Sequence, residues 1–309
     1  MKTAIVTGAN RGLGLACAHA ILARPGWRVV LACRDPAAAI AAADGLRRRG
    51  GSERVLVREL DLASLANIRA FAAGTEGPVD ALVCNAGVQL ARPGILRTKD
   101  GFEATFGVNF LGHFLLTNLL LPRLARPGRV VFVASGTHDP KQKTGMPAPV
   151  FTSAQDLAFP KDAADDKMET SLRRYTTSKL CIVYGAYEME RRLRAAKLAG
   201  IDVNAMDPGM MPGTALARDF PGWMRWGWNN LLPVLRLVMP NVNSPTTSGR
   251  HLAALATDPR FAGVSGRYFE GIKEIRSSEL SYDSGNARAL WEDSCRLVGL
   301  TANGIAAAA

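Results

Sequence analysis

The chain has 309 residues, of which 48% are hydrophobic and 21% charged, and its formal net charge at pH 7 is +11. This apolar fraction excludes a disordered protein, and the 30 glycines and 17 prolines are ordinary for a globular one. No uninterrupted apolar run approaches the ~20 residues that a membrane-spanning helix needs. Strand-like sequence begins at Lys2, without room for a signal peptide. We therefore expect a cytoplasmic protein with no membrane span.

The positive charge clusters at Arg47–Arg49 and Arg191–Lys197, near the ends of predicted helices, where cations complement the helix dipole. No basic stripe is interleaved with aromatic residues, so no nucleic-acid partner is expected. The five cysteines are odd in number, scattered and without a CxxC pair, which predicts buried reduced thiols. The four histidines show no ligand spacing, so we expect no metal site.

Short β-branched runs alternate with Ala- and Leu-rich segments along the chain. The predicted strands are Thr3–Thr7, Arg28–Cys33, Arg54–Leu60, Ala81–Cys84, Arg129–Ala134, Asp202–Met206 and Arg267–Phe269. The predicted helices are Gly12–Ala23, Pro36–Arg49, Leu65–Ala73, Asp100–Leu124, Tyr175–Leu198, Thr246–Ala256 and Asn286–Val298. This alternation predicts right-handed crossovers and an α/β fold with a doubly wound parallel sheet, in a single domain over residues 1–309.

Two segments interrupt the alternation, and both would project from the carboxyl ends of the strands, where ligands bind in such folds. A Pro-, Lys- and Asp-rich insert covers residues 138–172, and an apolar segment within residues 210–245 carries Trp223, Trp226 and Trp228. Three interpretations of the tryptophan segment stay open: a lid over a bulky apolar substrate, an oligomer contact, or an interfacial membrane anchor.

A glycine-rich turn follows the first strand and leads directly into a helix. Its sequence is Thr7-Gly8-Ala9-Asn10-Arg11-Gly12-Leu13-Gly14. Glycines permit a tight turn and a close backbone approach to a pyrophosphate, whose charge then faces the amides of the helix N-terminus. This placement predicts a dinucleotide site.

The end of the second strand bears on the phosphate state of that dinucleotide. An NAD site favours an acidic side chain there, which binds the ribose 2′-hydroxyl. This chain has neutral Cys33 at that position and Arg34 next, so Arg34 and Arg11 are predicted to clamp the 2′-phosphate of NADP(H). The alternative is that both arginines are ordinary surface residues and Asp35 binds the ribose.

The chain resembles the short-chain dehydrogenase/reductase family over nearly its whole length. The glycine-rich turn fits the family's TGxxxGxG, and Tyr175-Thr176-Thr177-Ser178-Lys179 is a complete YxxxK. The resemblance implies a Rossmann fold with catalytic residues Asn109, Ser135, Tyr175 and Lys179. It also implies that the glycine-rich turn contacts the cofactor, together with Asn85, Ala86, Gly87, Tyr175 and Lys179. The adenine would contact Asp61 and Leu62. The nicotinamide would contact Pro208, Gly209, Met211 and Thr214.

Within the family, the chain is most similar to the light-dependent protochlorophyllide reductases and related bacterial enzymes. Leu82–Ala86, the insert before Tyr175, and Trp291–Leu300 carry this similarity. The photoenzymes usually have a cysteine directly after the Pro-Gly pair, where this chain has Met210, and this difference argues against photochemistry.

The spacing of Tyr175 and Lys179 suits proton transfer, because residues four apart share one helix face, about 6 Å from each other. A phenol of ordinary pKa ~10 exchanges protons poorly at pH 7 unless a nearby cation stabilises its phenolate. Tyr175 would then act as general acid or base, Ser135 would bind the carbonyl oxygen, and Asn109 would hold a relay water. Separately, each could have a structural role, in packing, capping or bridging a kink. His138 could touch substrate or be an ordinary loop histidine.

These observations predict an NADP(H)-dependent carbonyl reductase or alcohol dehydrogenase that acts on a bulky, largely hydrophobic small molecule. One alternative is a protochlorophyllide-reductase-like enzyme that reduces a C=C bond, and another is a non-catalytic NADP(H) sensor. The expected oligomeric state is a monomer or a homodimer.

Overall fold

A computed structural model of the protein describes residues 1–50, 52–142, 144–161, 167–211 and 242–301. Eight strands form one sheet in the order β3-β2-β1-β4-β5-β6-β7-β8. They are β1 (Lys2–Thr7), β2 (Trp27–Cys33), β3 (Val55–Glu59), β4 (Val79–Cys84), β5 (Leu124–Val133), β6 (Ile201–Asp207), β7 (Arg267–Glu270) and β8 (Lys273–Ile275). Strands β1 to β7 are parallel, and only β8 pairs antiparallel, with β7.

Helices cover both faces of the sheet. They are α1 (Gly12–Leu22), α2 (Pro36–Gly50), α3 (Leu65–Ala73), α4 (Ala104–Phe106), α5 (Gly112–Leu120), α6 (Ala154–Ala158), α7 (Met168–Ala195), α8 (Pro245–Thr257) and α9 (Ser284–Leu297). Side-chain caps fix where several of them begin. Ser64, Ser244 and Asp283 each accept a hydrogen bond from a backbone amide in the first turn of α3, α8 and α9.

Two hydrophobic cores lie on opposite faces of the sheet, and this explains why its central strands are apolar without interruption. In β4, Leu82 belongs to the core beneath α3, α5, α7 and α9, whereas the next residue, Val83, belongs to the core beneath α1, α2 and α8. The strand order reverses between β1 and β4. In open α/β sheets, ligands bind in the crevice at the carboxyl ends of the strands beside such a reversal.

The predicted helix Asp100–Leu124 is wrong at both ends and in its regularity. The observed stretch begins at Ala104, passes through a π-helical turn at Gly107–Leu111 and continues as α5, while Leu124 already belongs to β5. The carboxylate of Glu103 caps this start by accepting the amides of Thr105 and Phe106. Periodicity alone did not locate the boundary, because the stretch is apolar on nearly all sides.

Three other elements also differ from expectation. Helix α7, which carries Tyr175 and Lys179, begins at Met168, about two turns before the predicted start at Tyr175. The short helix α6 and the antiparallel strand β8 were not predicted, since three to five residues give too little periodicity to read. All five cysteines are buried, as predicted.

The stretch Ala104–Arg123 is long and apolar enough to cross a membrane by composition, with a mean hydropathy of 1.4 in its most apolar window. In the fold, 83% of that window is buried. It belongs to the hydrophobic core on one face of the sheet, and it carries Asn109.

Candidate active site

The glycine-rich turn joins β1 to α1 and leaves no room for a side chain at Gly14. Gly8 has a φ of +65°, a conformation that favours glycine. A Cβ at Gly14 would lie 2.5 Å from Asn85 Nδ2 and 2.6 Å from the Gly8 carbonyl oxygen. Asn85 Nδ2 also donates to the Thr7 carbonyl at 2.7 Å and so holds the turn against the end of β4. The first amides of α1 therefore face an open crevice, as a pyrophosphate site requires.

A cavity of about 480 Å³ occupies this crevice. Most of the predicted cofactor residues line it, namely Gly8, Asn10, Arg11, Gly12, Leu13, Gly14, Arg34, Asp61, Leu62, Asn85, Ala86, Gly87 and Met211. Pro208 and Gly209 lie outside this lining, at the end of β6. Thr214, the three tryptophans and most of the predicted lid lie outside the described residues.

The three residues at the end of β2, Cys33, Arg34 and Asp35, have different surroundings. The Cys33 thiol is buried next to the backbone of Ala9 and Asn10 in the glycine-rich turn. Burial raises the pKa of this thiol. Asp35 Oδ1 accepts a hydrogen bond from the Ala38 amide at 3.1 Å and so caps the start of α2. Arg34 is exposed and lines the cavity.

The end of the cavity that is predicted to hold the adenine contains an ion pair that sequence analysis did not predict. Asp61 is buried at the end of β3, where Oδ1 accepts the Ala63 amide at 3.1 Å. Asp61 Oδ2 pairs with Lys99 Nζ at 3.0 Å. The Lys99 side chain is 70% exposed and can move away from this contact at little cost.

Three of the four predicted catalytic residues come together between β5 and α7. The Tyr175 hydroxyl lies beside the Ser135 side chain, which lowers the pKa of the phenol. Ser135 Oγ accepts two hydrogen bonds from Thr137, one from the Thr137 amide at 3.3 Å and one from the Thr137 hydroxyl at 3.1 Å. Lys179 Nζ lies 5.5 Å from the centre of the Tyr175 ring and donates to the Val133 carbonyl at 3.0 Å.

Burial controls the ionisation of this group. It raises the pKa of Tyr175, and the charge of Asp207 raises it further, whereas the neighbouring Ser135 side chain lowers it. Burial also lowers the pKa of Lys179 to about 8, against the opposing attraction of Asp207. Asp207 is buried at the end of β6, with Oδ1 accepting the Gly209 amide at 2.9 Å. Tyr175 is therefore a protonated phenol at neutral pH and can donate a proton.

Asn109, the fourth predicted residue, lies fully buried in the π-helical turn Gly107–Leu111. Its Oδ1 accepts the Val88 amide at 2.7 Å, and its Nδ2 donates to the Val88 carbonyl and to Ser178 Oγ, both at 3.0 Å. Ser178 Oγ in turn donates to the Tyr175 carbonyl at 2.7 Å. The Asn109 side chain thus ties the loop after β4 to the catalytic helix. Its predicted relay water stays a prediction.

His113 connects Asn109 to the glycine-rich turn, and sequence reasoning missed it. Its Nδ1 lies 3.1 Å from the Asn109 carbonyl oxygen and its Nε2 lies 2.9 Å from Thr7 Oγ1. A carbonyl only accepts, so Nδ1 carries the proton and Nε2 accepts from the Thr7 hydroxyl. Burial lowers the pKa of His113 to about 4 and keeps the ring neutral. A histidine one helical turn after Asn109 was the available signal.

The segment after β6 is held by backbone contacts. The Pro208 carbonyl accepts a hydrogen bond from Ser248 Oγ at 2.6 Å, and the Met210 carbonyl accepts one from the Asn243 amide at 2.8 Å. Met211 is buried against the cofactor cavity. Among the described residues, no group of three or more His, Cys, Asp or Glu side chains is arranged to hold a metal ion.

Comparison with known proteins identifies the family. The family model described as short chain dehydrogenase matches residues 2–147. The chain is also 39% identical to retinol dehydrogenase 13 of Homo sapiens over 313 residues, which cover 97% of this chain and 86% of that protein. The chain is a short-chain dehydrogenase. This family binds a nicotinamide cofactor, and the sheet with its helices is the predicted Rossmann fold.

Two further relatives of this short-chain dehydrogenase extend the comparison. Chloroplastic protochlorophyllide reductase of Chlamydomonas reinhardtii is 35% identical over 320 residues, covering 97% of this chain and 79% of that protein. The crystal structure of an uncharacterized protein from Mycobacterium Paratuberculosis has a TM-score of 0.72 and 32% identity, covering 97% of this chain and 94% of that one. The predicted similarity to the protochlorophyllide reductase branch is thereby confirmed.

Proposed function

We propose that this short-chain dehydrogenase is NADP(H)-dependent and interconverts a carbonyl and an alcohol on a bulky, largely hydrophobic substrate. The observation that carries the chemistry is the contact between the Tyr175 hydroxyl and the Ser135 side chain, with Lys179 Nζ 5.5 Å from the phenol ring. These groups can bind a carbonyl oxygen and protonate it.

The mechanism follows from the protonation states of these side chains. When bound, the nicotinamide nucleotide supplies the hydride or accepts it. Ser135 Oγ accepts two hydrogen bonds from Thr137, so its own proton is directed outward, toward Tyr175 or a substrate oxygen. Tyr175 donates its phenolic proton to the oxygen on which negative charge develops, and the Lys179 ammonium stabilises the phenolate left behind. Alcohol oxidation reverses these steps.

The preference for NADP(H) rests on the end of β2. Asp35 is engaged in capping α2, which weakens the alternative that it binds a ribose hydroxyl. Arg34 and Arg11 both line the cavity, are both exposed, and have the guanidinium geometry that suits a phosphate.

The substrate class rests on the relatives. Proteins with 39% and 35% identity to this chain are named for retinol and protochlorophyllide, which are both large and mostly apolar molecules. The second name favours reduction of a C=C bond as a second candidate function, with Tyr175 again as the proton donor.

The first experiment measures NADPH and NADH oxidation in darkness over a panel of small, bulky and polycyclic carbonyls. NADPH-dependent turnover of a bulky class supports the proposal. Turnover only under illumination supports the C=C reductase instead. Bound NADPH without turnover on any substrate, in darkness or light, supports a sensor.

The second experiment tests the phosphate site with Arg34→Ala. We expect a loss of about 10- to 100-fold in NADPH affinity, the range for a charged hydrogen bond, with NADH affinity unchanged. The matched control is Arg123→Ala, an exposed arginine outside the cavity lining. An unchanged ratio of NADPH to NADH affinity would remove Arg34 from the phosphate site. The cytoplasmic location and the monomeric or homodimeric state stay predictions.

A further inference from the structure

His138 lies on the turn that follows Ser135, and it is completely buried. Its exposed fraction is 0%, so it contacts neither solvent nor a substrate in the cofactor crevice. Its ring packs against Tyr268 of β7, with ring centres 4.9 Å apart. Neither sequence interpretation of His138, a substrate contact or an ordinary loop histidine, describes this position.

Both ring nitrogens of His138 have partners of fixed polarity. Nδ1 lies 2.6 Å from the Ser135 carbonyl oxygen, which can only accept. The Ser278 amide, which can only donate, lies 3.0 Å from Nε2. Nδ1 therefore carries the proton, Nε2 does not, and the ring is neutral. Burial favours the same state because it lowers the pKa of His138, although the charges of Asp139 and Asp207 oppose it.

The partner on the Nε2 side belongs to a short segment, Ser277–Ser281, that is also attached to the catalytic helix. Tyr184 of α7 donates its hydroxyl to the Leu280 carbonyl at 2.9 Å. The Tyr187 hydroxyl, also on α7, lies 2.7 Å from Ser277 Oγ. His138 thus completes a chain of contacts from the backbone of Ser135, through this segment, to the helix that carries Tyr175 and Lys179.

We propose that His138 is a positioning residue that holds Ser135 in register with Tyr175, by donating to the Ser135 carbonyl and accepting from the Ser278 amide. This role rests on the proposed function, since it serves proton transfer at a carbonyl oxygen. This role requires a neutral ring in a single tautomer, which donates a hydrogen bond from Nδ1 and accepts one at Nε2.

Two amide variants separate the two ends of the ring. In His138→Asn, Nδ2 replaces Nδ1–H and keeps the donor to Ser135, while the Ser278 amide loses its acceptor. In His138→Gln, the longer side chain places Oε1 near the former Nε2 and keeps the acceptor for Ser278, while the Ser135 carbonyl loses the imidazole donor. His138→Asn removes the acceptor of the buried Ser278 amide, whereas in His138→Gln the Ser135 carbonyl keeps the hydrogen bond from the backbone amide of residue 138, at 3.2 Å in the wild type. The loss of thermal stability should therefore be larger in His138→Asn.

If His138 positions Ser135, kcat falls more in His138→Gln, although stability falls more in His138→Asn. We expect His138→Gln to lower kcat about 10- to 100-fold, as small misplacements of catalytic groups do, with little change in KM or in NADPH affinity. His138→Asn should retain kcat within about threefold of the wild type. Equal losses of kcat in the two variants, or losses of kcat that follow their losses of stability, would show a purely structural role and overturn the proposal.

A readout independent of turnover keeps this test separate from that of the proposed function. Nitrogen-15 NMR of histidine-labelled wild-type protein at pH 7 should show His138 Nδ1 protonated and Nε2 unprotonated. The backbone resonances of residues 135–137 should shift in His138→Gln and stay near wild type in His138→Asn. If no panel substrate turns over, these spectra still decide the matter. The opposite tautomer, a charged ring, or equal shifts in both variants would refute the positioning role.

Discussion

Replacing Lys179 with methionine tests the cost of burying its ammonium. The methionine keeps most of the apolar stem but removes the charge and the hydrogen bond to the Val133 carbonyl. Burial lowers the pKa of Lys179 from 10.5 to about 8. At 1.36 kcal/mol per pH unit, this difference corresponds to about 3 kcal/mol of stability that the charged side chain costs the native state.

The sign of the pH dependence follows from the two protonation states. Below pH 8, Lys179 is charged in both the native and the unfolded chain, and the full cost of burial applies. Between about pH 8 and 10.5, the native protein releases the proton while the unfolded chain retains it, so the free energy of unfolding of the wild type rises with pH. Lys179→Met lacks this rise.

We therefore expect the variant to be inactive and yet more stable near pH 7, by about 1 to 2 kcal/mol after the lost hydrogen bond is subtracted. As the pH approaches 10.5, the difference should change by up to about 3 kcal/mol in favour of the wild type, which then becomes the more stable protein. Urea unfolding at pH 7, 8, 9 and 10 measures the difference, with exposed Lys167→Met at the start of the same helix as control. A difference between Lys179→Met and the wild type that does not change with pH would refute the reasoning.

Three further changes test individual contacts of the site. Tyr175→Phe should lower kcat by about 10²-fold or more and leave NADPH affinity within a few-fold, as stopped-flow kinetics and fluorescence titration can show. Gly14→Ala should lower NADPH affinity by at least about tenfold, because its Cβ meets Asn85 Nδ2 at 2.5 Å, whereas Gly45→Ala on α2 meets nothing within 4 Å and should be neutral or stabilising by about 0.5 to 1 kcal/mol. Ser178→Ala leaves Asn109 Nδ2 short of one acceptor and should cost about 1 to 2 kcal/mol in urea unfolding, with a fall in kcat.

The fold was predictable because its signals are local and repeated. Each central strand is an uninterrupted apolar run bounded by a turn, and the alternation with helices leaves few topologies to consider. The glycine-rich turn and the Tyr175–Lys179 spacing were also readable, since the chemistry itself requires those residues at those intervals. Strand β8 was not readable, because three residues at a sheet edge produce no pattern.

The supporting contacts of the site depend on distances in space that the sequence does not encode. His113 meets Thr7 across 106 positions of the chain, and His138 meets Ser278 across 140. Ser178 stood inside the predicted YxxxK motif, but its bonds to Asn109 and Tyr175 depend on a π-helical turn that periodicity did not predict.

The two buried histidines follow one arrangement. In both, Nδ1–H donates to the carbonyl of a predicted catalytic residue, Asn109 or Ser135, and Nε2 accepts from a distant element. A second proton on His138 would point an N–H at the Ser278 amide, which only donates, so that contact requires a neutral ring. The Thr7 hydroxyl beside His113 can also accept, because its own proton can go to the Val83 carbonyl at 3.3 Å, so His113 is kept neutral by burial. The pKa of His113 is about 4 in the native protein and 6.5 in the unfolded chain. Between these two pH values the unfolded chain binds a proton at this ring and the native protein does not. The free energy of unfolding therefore declines from pH 6.5 toward 4, by up to about 3 kcal/mol. Tyr175 and Lys179 stay protonated throughout that range. Acid therefore lowers the free energy of unfolding through His113 and leaves the charges of Tyr175 and Lys179 unchanged.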